Sequence, residues 1–288
     1  MDYFLLTLIQ LIDSVGELLL ISIGLAVIFG MMKVINLAHG EFIMLGGFAA
    51  IYATRAGINV WIAILVVAPL AVGLFGMILE RLIIRHLYGR MIDTMLATWG
   101  LSLLLTGLAT TLFGNSVQGI SAPLGSVSFA GYSISLYSQM MVLIGLVIVS
   151  SGYLVMRYTR MGLIARAAMQ NPEMAASLGI NRSRTYAYTF GVGAALSGLA
   201  GALLAPLSGV VPTMGAAYIA KAFITVITGG ASIITGVSLS STLLGSIGSI
   251  TTFLSNPIFG DIALLLAALI LLRLLPTGIT GKILRRAA

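Results

Sequence analysis

Nine apolar stretches recur along this chain between more polar breaks, and that alternation constrains the fold more than any single motif. They run Leu18–Met32, Phe42–Thr54, Val60–Leu79, Met91–Leu112, Met140–Met156, Tyr186–Leu207, Ile219–Thr228, Ile234–Phe253 and Ile262–Leu275. A chain built this way has lipid as its solvent. Hydrocarbon offers no partner to backbone N–H and C=O groups, so a crossing made of one continuous apolar run satisfies its own and is a helix. Composition agrees: 59% of residues are hydrophobic and 8% charged, where a soluble domain carries roughly 25% charged residues. The expected fold is all-α and polytopic, a single transmembrane domain over residues 1–288, with about eight to ten crossings. Several stretches fall short of the ~20 residues a crossing needs, so some helices are expected to be tilted, broken or re-entrant. Phe4–Ile12, with Leu5, Leu8, Ile9 and Ile12 at helical spacing, is expected either to cross or to lie in the interface.

Charge gives the orientation. Arg81, Arg85 and Arg90 fall in one break, Arg157, Arg160, Arg166, Arg182 and Arg184 in another, and Lys282, Arg285 and Arg286 in the tail. The breaks 113–137, 208–218 and 254–261 contain neither lysine nor arginine. The positive-inside rule then puts the first set, and the C-terminus, in the cytoplasm. Topology accounts for the net charge of +7, and no nucleic-acid partner is implied. The N-terminal segment lacks a basic region and carries Asp2, Asp13 and Glu17, so no cleavable leader is expected. Without cysteine, the chain has no disulfide and no thiolate ligand.

The largest basic break holds a helix with both ends written into the sequence. In GLIARAAMQNPEMAASLGI, Gly162–Ile180, Asn171 is a natural N-cap and Pro172 suits the first helical position, where a missing N–H costs nothing. Glu173 complements the positive end of the dipole, and Gly179 supplies the left-handed residue that stops the helix. The enclosed helix, Pro172–Leu178, is well below the ~12–15 residues that are marginally stable in water. It must dock on its own domain or on a partner. Met174, Ala175 and Leu178 are expected to form the apolar face and Ala176 to permit close approach. A capped helix in a cytoplasmic loop, residues 157–184, is a means of receiving force from a soluble subunit.

The chemistry is sparse. Glu17, Glu41, Glu80, Asp93 and Asp261 read as lying at span edges, none at the centre of a long apolar run, which counts against an ion-coupled carrier. There is no GxxxxGK[ST] sequence, hence no P-loop. Two histidines, His39 and His86, are too few for a metal site without carboxylate help, and His39 and Glu41 are expected to bind no metal. No cofactor is implied. The other polar insertion, Lys33–Glu41, carries Asn36, His39 and Glu41, which either line the inner mouth of a path or hold helix ends together by hydrogen bonds. Lys221 and Trp99, in Thr98-Trp-Gly100, are further path candidates; the plainer readings are a lysine snorkelling to the outer headgroups and a packed indole. Small residues four apart, Gly193, Ser197 and Gly201 with Ala194 and Gly198, form a helix-packing face or a subunit interface. Gly229-Gly230 is expected to break a span.

Three blocks carry a resemblance. VINLAHGEFIMLGG (34–47) resembles the first block of the LivH-type permeases of ABC importers, Gly162–Ile180 resembles their coupling segment, and LLPTGITGK (274–282) their Pro-Thr-Gly ending. The resemblance implies a permease subunit without ATPase chemistry of its own. Its implied partners are a homologous second permease, two cytoplasmic ATPases and a periplasmic binding protein, in the inner membrane. Glu173, Ala175, Ala176 and Gly179 fall where the family's coupling loop would engage an ATPase, although Met174 interrupts Glu-Ala-Ala. Substrates in the family include branched-chain amino acids, urea and short amides, and HLYGRMIDTMLATWGLSLLL (86–105) looks more like the urea-type branch. A stand-alone carrier or channel and a membrane-embedded enzyme are the competing classes.

Overall fold

The structure is a computed structural model that describes residues 2–129, 132–230 and 232–281. Lys282, Arg285 and Arg286 lie outside the described residues. Helices dominate, and seven of them are long and apolar enough to cross a membrane. Those are Thr7–Met32 of α1 (Asp2–Met32), the rod Val60–Leu82, α5 (Met91–Phe113), α6 (Leu136–Tyr158), α9 (Arg182–Ser208), α11 (Ile233–Leu254), and Pro257–Gly281, which contains α12 (Pro257–Leu274). That is fewer than the eight to ten crossings expected; α10 (Met214–Gly229) is a shorter apolar helix, and α2 (His39–Arg55) is shorter too. The rod joins α3 (Val60–Ile62) to α4 (Ala68–Leu82) through a π-helical turn, Ala63–Val67. That wider turn sits where Pro69 has no N–H to give the preceding turn. Two short helices, α7 (Arg160–Gln170) and α8 (Pro172–Ser177), occupy the basic loop. Two strands form a small antiparallel pair, β1 (Ser126–Phe129) and β2 (Tyr132–Ser135), with Ser126 opposite Ser135, and an isolated bridge joins Gln118 to Val210.

The first span begins well before Leu18: Phe4–Ile12 belongs to α1, which runs unbroken from Asp2, and Thr7–Met32 is the part long and apolar enough to cross. Asp13 and Glu17 therefore sit mid-helix, not at an edge. The break at 13–17 reads as a boundary because a sequence shows only its polarity; the fold covers it. Ser14 donates to the Gly245 carbonyl at 3.3 Å, and Gln139 donates to Asp13 at 2.7 Å.

Contacts divide the chain into two compact units. In the unit of Gly24–Ser121 and Ser151–Ala220, α9 is the central helix and packs along α2 and α4. The small-residue face does this within the chain. A Cβ on Gly201 would overlap the Ile43 carbonyl of α2, one on Gly46 the Gly198 carbonyl, and one on Gly198 would press Val72 of α4. Backbones this close leave no room for a methyl group, and that closeness is how helices gain contact in lipid.

In the unit of Met1–Ile23, Ala122–Ser150 and Lys221–Ala288, α11 packs on α12. Asn256 caps α12 by accepting the Phe259 N–H at 3.1 Å, with Pro257 at the first position. The expected break at Gly229-Gly230 is present: α10 stops there and Gly230 has φ +86°. Thr280, beyond the Pro-Thr-Gly sequence, ties this turn. Its hydroxyl donates to the Gly229 carbonyl at 2.6 Å and accepts the Ser232 N–H at 3.1 Å. The ending is thus a clamp on the α10–α11 turn.

Candidate functional site

Two polar insertions of the sequence lie in the same unit and are used in opposite ways. At the first, the chain leaves α1, turns through 33–38 and enters α2. Asn36 and His39 are 0% exposed and Glu41 is 4% exposed. Asn36 shapes the turn: its Oδ1 accepts the Ala38 N–H at 3.1 Å and its carbonyl accepts the His39 N–H at 3.3 Å. The imidazole reaches α9, where His39 Nδ1 lies 3.1 Å from Ser197 Oγ. Ser197 Oγ also lies 2.8 Å from the Gly193 carbonyl, to which it donates. An imidazole protonated on Nδ1 lets both bonds form at once. Thr98 of α5 closes the corner by accepting the Leu37 N–H at 3.1 Å. The hydroxyls of Ser102 and Thr106 lie beside the Glu41 carboxylate. Two buried atoms, Asn36 Nδ2 and Glu41 Oε2, have no hydrogen-bond partner among the described residues.

Three of the path candidates are thus brought together, and two are not. Trp99 is 55% exposed, while its neighbour Thr98 is buried and joins the corner. Adjacent residues on a helix point about 100° apart, so the conspicuous indole and the useful hydroxyl cannot face the same way. Lys221 belongs to the other unit and pairs with Asp261 at 2.7 Å. Glu17 of α1 lies within electrostatic reach of both. Thr98 and Ser197 are the members of the corner that sequence reasoning did not assign to it. Thr98 was legible only as a hydroxyl one position from a tryptophan, Ser197 only as a small residue among glycines.

The second insertion is the basic loop. It is more helical than expected: Thr159 caps α7 by accepting the Gly162 N–H at 3.1 Å, and α7 runs to Gln170. Asn171 Oδ1 then accepts the Met174 N–H at 3.0 Å, and Pro172 opens α8. The stop is complete. Gly179, at φ +87°, donates to the Ala176 carbonyl at 3.0 Å and Ile180 to the Ala175 carbonyl at 3.1 Å. That pair of bonds is the Schellman arrangement, which needs a left-handed residue at Gly179. Asn181 caps α9 at once, accepting the Arg184 N–H at 3.0 Å. Three asparagine- or threonine-capped starts, at Thr159, Asn171 and Asn181, fix the loop's path.

The expected apolar face of α8 divides. Ala175 is 3% exposed, turned onto the chain's own helices, whereas Met174 is 62% and Leu178 77% exposed. Ala175 is not available to a partner; Met174 and Leu178, four apart, are. Glu173 and Ala176 are also exposed.

A family profile described as "Branched-chain amino acid transport system / permease component" matches residues 7–275. The high-affinity branched-chain amino acid permease protein LivH of Escherichia coli K12 is 27% identical, over 97% of this chain and 96% of its own length. The permease protein BraD of Pseudomonas aeruginosa is 32% identical, over 91% of each chain. A probable branched-chain amino acid permease of Methanocaldococcus jannaschii is 28% identical, over 92% of this chain and 88% of its own. No solved structure matches the chain.

Proposed function

The chain belongs to the branched-chain amino acid permease family of ABC importers, and we propose that it carries a branched-chain amino acid across the inner membrane, driven by ATPases that dock on α8. The observation that carries the coupling reading is α8 itself: a six-residue helix capped at both ends with Met174 and Leu178 exposed. Nothing so short holds its shape in water unaided, and two large apolar side chains at i and i+4 are the anchors a groove takes. In this reading the loop faces the cytoplasm, a homologous second permease completes the translocation unit, and a periplasmic binding protein delivers the solute.

Relatives named for branched-chain amino acids, matched over nearly the full length, support that substrate class. The urea or short-amide alternative rests on residues 86–105. Much of that stretch lies on the outer face of α5, where Ile92, Leu96, Trp99 and Leu103 are exposed, so its likeness bears little on a path. Calorimetry on the cognate binding protein decides: leucine is expected to bind, and binding of urea or acetamide without leucine replaces the assignment.

For coupling, the variant Met174→Asp with Leu178→Asp is expected to accumulate in the membrane yet lose co-purifying ATPases and uptake. Full uptake with ATPases still bound makes the loop a topological anchor only. The second reading, an ion-coupled carrier, draws on Glu17 at mid-helix and on the Lys221–Asp261 pair. Solute uptake by the purified chain alone in vesicles with an imposed proton gradient selects it; uptake that needs the ATPases rejects it.

A further inference from the structure

Beside the coupling helix, the unit of Gly24–Ser121 and Ser151–Ala220 contains a cavity of about 290 Å³. It opens where three spans end: the last residues of α1, the start of α5 and the start of α9. Lys33, Arg90 and Arg182 line it, and among the described residues that line it none is acidic. Arg90 is ion-paired with Asp93. Neither Lys33 nor Arg182 has an ion pair among the described residues.

Both unpaired cations are held. Arg182 lies over the rings of Tyr186 at 5.1 Å and Tyr88 at 5.9 Å, which stand edge-to-face 5.0 Å apart. Tyr88 is itself fixed, donating its hydroxyl to Glu80, a carboxylate buried beneath it. Burial and that carboxylate push the Tyr88 phenol above its ordinary range, so it stays a donor. Lys33 is the one non-glycine residue with positive φ among the described residues, at +54°. Its N–H closes α1 on the Phe29 carbonyl at 2.9 Å and its ammonium lies 5.8 Å from the Phe29 ring. A lysine in this conformation carries strain. The remaining wall is apolar and soft: Met31, Met32, Met91 and Met169.

We propose that this cavity binds the phosphate of an anionic amphiphile, with Arg182 and Lys33 as its cation clamp and the methionines covering the adjoining carbons. A stacked guanidinium presents its fork of N–H donors to phosphate oxygens, which is the geometry arginine suits best. The volume admits a phosphodiester and a few carbons, at the small end of ligand cavities. The ends of spans lie at headgroup level, where such a group is supplied by a phospholipid; a free phosphate has the same chemistry. The site stands whichever solute the chain carries.

The test uses the full chain purified with its ATPases and placed in phosphatidylcholine nanodiscs, with or without phosphatidylglycerol. Native mass spectrometry is expected to find one phosphatidylglycerol retained per chain. Lys33→Gln and Arg182→Gln should each reduce retention roughly tenfold. Met169→Trp, which fills the cavity and leaves the charges, should do the same, and Arg157→Gln, outside the cavity, should not. If instead inorganic phosphate binds in pure phosphatidylcholine discs and the same three variants abolish it, the phosphate assignment holds and its source is soluble. Lipid retention equal in all variants, with no phosphate binding, is annular lipid and overturns the proposal.

Discussion

The α1–α2 corner and the α7–α8 loop look alike in the sequence, each a polar run between apolar stretches, and the structure turns one inward and the other outward. The corner spends its polar groups on the chain itself: His39 on Ser197, Asn36 on Ala38, the Leu37 N–H on Thr98. The loop spends its polar groups on capping its own helix ends and leaves Met174 and Leu178 uncovered. Inward polarity pins helices and tolerates little change. Outward polarity shapes a surface, and its substitutions should read out in partners before they read out in the fold.

The largest effect that would sharpen this contrast is expected at the inward side. Gly201→Val forces a branched side chain into the Ile43 carbonyl, and since the obstacle is backbone, destabilisation of about 3 kcal/mol or more is expected. Membrane accumulation and thermal aggregation temperature in detergent check it; normal values for both would mean the α2–α9 crossing is looser than described.

Ala175→Arg comes next, because it is the inward residue of the outward helix. Burial of Ala175 makes it a change to the loop's own packing, expected to cost about 1–3 kcal/mol. Limited proteolysis within 157–184 should accelerate, and it should stay at the wild-type rate in Met174→Asp with Leu178→Asp. Equal cleavage in both variants would erase the distinction between the two faces.

Asn171→Ala removes one cap, a loss of about 1 kcal/mol. Uptake should fall partially, with ATPases still co-purifying, and Asn171→Asp, which keeps the acceptor, should restore it. The smallest effect is expected at Glu41→Gln. The amide keeps the shape of a side chain whose Oε2 already lacks a partner, so thermal stability should move by less than about 1 kcal/mol. A large loss of uptake at unchanged stability would move Glu41 from pinning to the path.

The sequence carried the helices well, since apolar run length is set by the membrane and caps are local. Val60, Met91 and Pro172 begin their elements where the pattern puts them, and Gly179 and Gly230 end theirs for conformational reasons visible in the residue itself. It misplaced Glu17, because polarity at 13–17 cannot reveal that Gln139 and Gly245 lie opposite and make an unbroken helix tolerable. Nor could it tell Thr98 from Trp99, or Ala175 from Met174. Each pair is adjacent in the chain and about 100° apart on a helix, and which member is covered depends on neighbours far away in sequence. Composition, spans, caps and family blocks were thus fixed by local chemistry. Facing, pairing and the cation-lined cavity beside α8 were decided by tertiary packing, because burial belongs to surroundings and not to a residue.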